Sequence, residues 1–366
     1  MNILLFRFIA VSILLCIIGA KENGERNDPL HFAMQKEYQL ATDQKEVFSF
    51  SGLDSLGEHA MFLLYTGDHN PLLYYSNIVT PVCIDNVCKP MYIQIYWNLV
   101  GEYVGYGVVE DNLLSKFDHD LFEPRDYRKL HDLLLDKHSI LERRKLSDLF
   151  DPGKKPEKAI EFNGEEVDAL SGATKKEISE SVVEGALYSC YTAWHLVHGT
   201  VVKKMVNHID SLYNAHLANY FISSPYIAYQ RYALQRFSET EYINQLPRII
   251  EILKSSKPLL RTYVLKKLPD LAWAKGDILK LYEGFSNLDT NSKTLLIKNL
   301  SLADDSALMH VAGGITGVTK NQLRTFLEFL AEKPTRLTED MLALLHAAAE
   351  NQTYAHNYLI AEFLER

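Results

Sequence analysis

The pattern of apolar and polar positions changes twice along the chain. Residues 21 to about 75 have mixed and only weakly periodic hydrophobicity. From residue 78 onward, segments rich in Val, Ile, Tyr and Trp alternate with glycine, which is typical of antiparallel strands. These segments read IVTPVCI, CKPMYIQIYWNL and EYVGYGVV. The sequence therefore predicts a small antiparallel sheet in the first half of the chain.

Helical periodicity follows the predicted strands. The run FEPRDYRKLHDLLLD places Tyr127, Leu130, Leu133 and Leu134 at helical spacing, and Pro124 stands where a helix tolerates proline. Residues 151–168 form a polar region around one short predicted strand.

A second helix is predicted over 175–198. It would carry Ile178, Val182, Ala186 and Cys190 on one stripe and would end at Gly199.

After about residue 205 the strand signal is lost and a weak repeat begins. Similar apolar segments start at Leu234, Leu265, Ile297, Leu327 and Ile360, which are 31, 32, 30 and 33 residues apart. Two helices in a period of this length are typical of an α-solenoid of the HEAT type, in which each unit packs against the next. Chance matching of a loose apolar pattern is the alternative. We therefore predict an α+β domain over 21–204 and a helical repeat domain over 205–366.

The first twenty residues have the features of an export signal. Arg7 is followed by an apolar core over 8–18 and by the small residues Gly19 and Ala20. A permanent membrane helix is the competing interpretation, but the apolar run is short for spanning and a polar segment follows it. The sequence predicts a secreted or periplasmic protein.

Charge limits the classes of partner. The 366-residue chain has a formal net charge of −9. This acidity argues against nucleic-acid binding, which needs a basic face. Nor does the sequence contain a polybasic stripe that would hold an anionic membrane surface.

The cysteines suggest one disulfide. Cys83 and Cys88 flank Asp85 and Asn86, and a two-residue turn at those positions brings the two cysteines opposite each other across a hairpin. In an oxidising compartment we expect them to be bonded. A redox-active pair is the minor alternative. Cys190 has no partner nearby in sequence and is predicted to be a buried thiol.

The segment Asp168-Ala-Leu-Ser171-Gly172-Ala173-Thr174 is the strongest candidate site. Thr174 begins a capping box with Glu177, and such a box needs no further function. The upstream residues are not explained by capping. A glycine, additional hydroxyls and a carboxylate before a helix N-terminus also suit a phosphate.

This heptapeptide resembles the D-x-x-[ST]-G-A-[ST] motif of the FMN-binding domain of extracytoplasmic electron-transfer flavoproteins. The resemblance covers roughly residues 78–200, and only the heptapeptide is specific. It implies a phosphoester between FMN and Thr174, with recognition by Asp168, Ser171, Gly172 and Ala173. It further implies a flavin transferase for attachment and a redox partner protein. Lys176 and the segment LLSKFDHDLFEP depart from the family pattern, which indicates a remodelled ring pocket.

Other chemistry is less well supported. The histidines and acids of 117–120, His131, Asp132, His138, His195 and His198 lack recognised metal-ligand spacing, so we expect solvated or hydrogen-bonded histidines and no metal. Tyr96, Trp97, Tyr103 and Tyr106 are expected to pack a sheet, or in part to floor a flavin ring. The leading hypothesis is an extracytoplasmic FMN-carrying electron-transfer protein. The main alternative is a non-catalytic scaffold whose helical repeats bind a protein and whose FMN-type domain has no cofactor.

Overall fold

The computed structural model describes residues 28–51, 57–80, 90–116, 120–145, 159–162, 165–168, 178 and 180–365. The chain divides into two compact units, Met1–Ser211 and Leu212–Arg366. We refer to them as the sheet unit and the helical unit. The boundary predicted after residue 204 lies within a helix of the sheet unit, Thr200–Leu212.

Five antiparallel strands form the centre of the sheet unit. They are β1 (Asp43–Ser51), β2 (Glu58–Tyr65), β3 (Pro71–Thr80), β4 (Met91–Trp97) and β5 (Tyr103–Val108). Each strand pairs with the next in the chain, which gives the order β1-β2-β3-β4-β5. The α+β class predicted from the sequence is confirmed, with an antiparallel sheet followed by a helical region.

The central strands β3 and β4 are the most completely buried part of the sheet. Every residue of β4 except Tyr92 is buried, and β3 is buried at all but a few positions. Side chains alternate between the two faces of a strand, so burial at consecutive positions means that both faces of the sheet are covered. β1, in contrast, contains mostly exposed or half-buried residues, as is usual for an edge strand.

Helices cover the sheet. They are α1 (Gln35–Gln39), α2 (Pro124–Leu135), α3 (Leu187–His198) and α4 (Thr200–Leu212). α2 matches the helix predicted from the sequence, with Pro124 in its first turn.

Hydrogen bonds attach three of these helices to the strands. The hydroxyl of Tyr106 donates to the carbonyl of Tyr127 in α2 over 2.9 Å. Trp97 Nε1 donates to the carbonyl of Val197 in α3 over 3.1 Å. The hydroxyl of Tyr74 lies 2.8 Å from Nδ1 of His208 in α4.

The predicted continuous helix over 175–198 is wrong, because it is interrupted between residues 180 and 186. Residues 180–186 form turns, and regular helix begins only at Leu187. Gly185 has a φ of 74°, a left-handed conformation that ends or redirects a helix. The stripe of Ile178, Val182, Ala186 and Cys190 is nevertheless buried as expected.

A separate two-stranded ladder precedes this region. β6 (Ala159–Phe162) pairs antiparallel with β7 (Glu165–Asp168), and Ala159 is opposite Asp168. This hairpin takes the place of the single short strand predicted within 151–168.

The described residues of the helical unit contain helices and no strands. The helices are α5 (Ala215–Ser223), α6 (Ile227–Arg236), α7 (Glu239–Asn244), α8 (Leu246–Ser255), α9 (Pro258–Lys267), α10 (Asp270–Trp273), α11 (Leu279–Tyr282), α12 (Thr290–Lys298), α13 (Asp305–Gly313), α14 (Lys320–Glu332), α15 (Glu339–Glu350) and α16 (Asn357–Leu364).

These helices contact one another in two series. In one series α9 contacts α12, α12 contacts α14 and α14 contacts α16. In the other, α5 contacts α8, and contacts continue from α8 through α11 and α13 to α15. The residues that start the weak repeat lie in α6, α9, α12, α14 and α16, and all of them are buried. From α9 onward, each helix that contains a repeat start therefore contacts the equivalent helix of the next sequence period. The assignment of these periods to the HEAT type stays a prediction.

The proposed export signal lies outside the described residues. Among the residues that are described, no helix combines the length and apolarity needed to cross a membrane.

Candidate functional site

Asp168 is the part of the heptapeptide that the structure locates. It is the last residue of β7, and the ladder with β6 fixes its backbone opposite Ala159. Ser171, Gly172, Ala173 and Thr174 lie outside the described residues, as does the rest of the proposed capping box. The site can therefore be described through the segments that flank it.

The downstream flank is a buried turn. Ile178, Val182 and Val183 are at most 2% exposed, so the chain enters the core shortly after the heptapeptide. At Gly185 a β-carbon would lie 3.3 Å from Cβ of Lys116, which is closer than an ordinary van der Waals contact. Left-handed backbone and close packing together require glycine here. This turn directs the chain into α3.

An ion pair lies next to the same turn. Lys116 Nζ is 2.9 Å from Asp126 Oδ2, and the two side chains are 18% and 8% exposed. Burial alone would raise the pKa of Asp126. The Glu123 backbone N–H and the Lys116 ammonium both bond to this carboxylate and outweigh burial, so the pKa lies below its usual value. Lys116 is thus already neutralised by an acid within the fold.

Cys190 lies in the first turn of α3 and faces this turn. Its Sγ accepts a hydrogen bond from the Val183 N–H over 3.5 Å. The thiol is free and fully buried, as predicted. Burial raises the pKa of the Cys190 thiol to about 12. A thiol with so high a pKa is almost fully protonated near neutral pH and is a poor nucleophile.

A small cleft opens between the start of β4 and α3. It is lined by Pro90, Met91, Leu113, Leu114, Ser115, Phe122 and Ser189. It has room for about one water molecule. In this conformation the cleft does not accommodate an isoalloxazine ring.

The sheet aromatics considered as a possible ring floor are used in packing. Tyr96, Trp97 and Tyr106 have no exposed surface, and Tyr103 is 5% exposed. Tyr96 stacks on Tyr75 with ring centroids 5.8 Å apart. The packing role favoured by the sequence is confirmed for these side chains.

The histidines do not form a metal site within the described residues, where no three potential ligands come together. His131 Nδ1 lies 3.0 Å from the Tyr103 hydroxyl, and His198 Nε2 lies 2.8 Å from the Leu134 carbonyl oxygen. His195 Nε2 is buried and has no hydrogen-bond partner among the described residues. His119 lies outside them, and so do Cys83 and Cys88, whose predicted disulfide stays a prediction.

The comparisons with known proteins add no assignment, because no family model, curated protein or solved structure matches the chain.

Two features of the flank were not anticipated from the sequence. The Lys116–Asp126 ion pair joins residues on different elements, and no local spacing indicates such a pair. The break at Gly185 had a local signal, because glycine disfavours the interior of a helix. The apolar stripe on either side of Gly185, in contrast, favours a continuous helix.

Proposed function

We propose that the chain is an extracytoplasmic flavoprotein that carries FMN on Thr174 through a phosphoester and transfers electrons with it. The observation that carries this proposal is the complete heptapeptide from Asp168 to Thr174. Its position supports the proposal as well, because its first residue, Asp168, ends β7 and is paired with Ala159 of β6.

The donor set of the segment fits a phosphoester. Thr174 would supply the hydroxyl oxygen of the ester, so that the modified chain would gain one FMN less one water equivalent. Gly172 leaves space for a bulky group beside the backbone. Asp168 and Ser171 supply polar groups by which a flavin transferase would recognise the segment. When attached, the flavin supplies the redox chemistry, and the protein contributes attachment and orientation.

The alternative function is protein binding by the helical unit with no flavin. It is favoured by the two series of helices, since stacked helical arrays present extended binding surfaces. The two functions differ in one measurable property, which is the mass of the exported protein.

The test is intact-mass spectrometry of the full chain after co-expression with an active flavin transferase. We expect a mass increase of one FMN less one water. Thr174→Ser keeps a hydroxyl and should be modified. Thr174→Asp keeps a good helix cap but cannot form the ester, so it should fold and stay unmodified. Asp168→Ala should lower the yield of modification more than it lowers stability.

Thr319 provides a matched control. It caps α14 in a described capping box, where its Oγ1 accepts from the Gln322 N–H over 3.4 Å. Thr319→Asp changes the same residue type at a helix start in a segment that lacks the heptapeptide. It should leave modification intact. An unmodified wild-type mass, with the transferase active on a second substrate protein, would reject the flavin proposal.

A further inference from the structure

The segment from Lys254 to Leu271 differs from the rest of the helical unit in its surface. Leu259 is 85% exposed and Leu271 is 65% exposed. Both stand in the first turn of a helix, α9 and α10 respectively. Isolated half-exposed leucines are common on protein surfaces, but a leucine with so much of its surface in water projects beyond its neighbours.

Four exposed lysines lie in the same segment as these leucines. They are Lys254, Lys257, Lys266 and Lys267. None of them forms an ion pair with another described residue. Asp270 is an exposed acid in the same segment, and Arg261 is neutralised by Asp289. The segment is thus a local positive region in a chain whose net charge is −9.

Chain geometry keeps these residues together. Lys254 and Lys257 are within a few residues of Leu259 on either side of the α8–α9 connection. Lys266 follows Leu259 by seven residues in the same helix, which places both on one face. α9 is ten residues long, or about 15 Å. We call Lys254, Lys257, Leu259, Lys266, Lys267 and Leu271 the basic–apolar patch.

We propose that the basic–apolar patch docks the protein on an anionic lipid surface. Charge complementarity supports lipid, because clustered lysines beside projecting apolar side chains match a layer of anionic headgroups over acyl chains. The residue types argue against a protein partner. Protein interfaces are depleted in lysine and enriched in arginine and aromatic residues. Both leucines stand in the first turn of a helix and are largely exposed, so a deformable surface such as a lipid layer can accommodate them separately.

The sequence conceals this property. The lysines are spread over two helices and their connection, so they do not form a polybasic stripe, and the overall negative charge masks them. The proposal does not depend on the flavin, because all six residues belong to the helical unit.

The test is co-sedimentation of the full chain with vesicles. One set contains phosphatidylglycerol and phosphatidylcholine in equal amounts, and the other contains phosphatidylcholine alone. We expect binding to the first set and little to the second, with weakening as salt is raised. A lysine close to an anionic surface contributes roughly fivefold to partitioning. Changing all four patch lysines to glutamate should therefore lower the affinity by well over tenfold.

Further variants separate the two components of the patch. Leu259→Gln with Leu271→Gln should weaken binding while its salt dependence remains. Lys298→Glu with Lys333→Glu changes two exposed lysines elsewhere in the helical unit and should leave binding unchanged. Circular dichroism of each variant verifies that the helices are intact. Equal binding to both vesicle types, no binding, or equal loss in the patch and control variants would overturn the proposal. So would binding of a polyglutamate peptide by a protein that ignores the vesicles.

Discussion

Arg261 offers the sharpest test of how the helical unit is held together. Its guanidinium donates to the carbonyls of Leu253 and Ser256, over 2.7 Å and 2.8 Å, at the end of α8. Its third bond, over 2.7 Å, goes to the carboxylate of Asp289, which caps α12 by accepting from the Ser292 N–H. One side chain thus links the end of one helix with the start of another that belongs to the next period.

Replacing Arg261 with alanine should destabilise the helical unit by about 2–3 kcal/mol. Removing one partner of a fully buried ion pair costs about 3–5 kcal/mol. Here the two side chains are 11% and 22% exposed, so water replaces part of the lost interaction and the cost falls at or below the bottom of that range. The carbonyls of Leu253 and Ser256 also lose their charged donor.

Acid should reduce this difference. Burial raises the pKa of Asp289, but hydrogen bonds from Ser292 and Arg261 and the charge of Arg261 outweigh it, so the pKa is below its usual value. A carboxyl with a lowered pKa in the folded state contributes stability above its unfolded pKa and loses it as the pH falls through the folded value. The gap between wild type and Arg261→Ala should therefore be full at neutral pH and shrink below about pH 4.

Urea unfolding followed by circular dichroism measures the effect. With an m value of about 2 kcal/mol per molar urea, the helical transition should shift down by about 1–1.5 M. Arg248 is a useful control. It also donates to helix-end carbonyls, those of Ile222 and Ser223, but its ion-pair partner Glu251 is 68% exposed. Arg248→Ala should cost less. A loss below about 0.5 kcal/mol for Arg261→Ala, or equal losses for both arginines, would refute the reasoning.

Two further predictions concern the sheet unit. Gly185→Ala should lower the free energy of unfolding by about 1–2 kcal/mol, because a left-handed alanine is strained and its β-carbon would press on Lys116. Gly57→Ala is the control, since the added carbon would have no neighbour within 4 Å. Equal effects of the two substitutions would contradict the argument. In thiol labelling of the native protein, buried Cys190 should stay unmodified until denaturant is added, and Cys83 and Cys88 should react only after reduction. The antiparallel pairing of β3 with β4 supports the second expectation, because both cysteines belong to the segment that joins these two strands. Ready labelling of both cysteines without reductant would reject the disulfide.

Strands could be predicted best from the sequence where they consist almost entirely of buried apolar and aromatic residues. β4 and β5 were recognisable because strands covered on both faces are rich in large apolar and aromatic residues. β1, β2 and most of β3 were missed, since the strand signal was placed only from residue 78. β1 reads DQKEVFSFS, in which only the last few residues alternate, and an edge strand needs few apolar residues to stay paired. The place of β1 in the sheet depends on its pairing with β2, and the local periodicity of the sequence gives no information about that pairing.

The helical unit shows what spacing can establish. A period near 32 residues was readable because each apolar segment contributes a buried residue at the same place in its unit, such as Leu265 and Ile297. The contacts between successive repeats could not be predicted from the sequence. Arg261 and Asp289 are 28 residues apart, and the bond between them depends on how successive helices stack.

The packing of the sheet unit bears on how a flavin would be retained. Noncovalent flavin sites usually hold the ring by stacking and enclosure, because a concave apolar site removes most of the ligand surface from water. Tyr96, Trp97 and Tyr106 are already packed in the core, and the cleft beside Ser189 has room for about one water molecule. Under the proposed function, retention would therefore rest on the Thr174 ester and not on a ring pocket among the described residues. Under the same proposal, an ester would keep the cofactor attached without enclosing it, and the ring would stay accessible to a redox partner, as electron transfer requires.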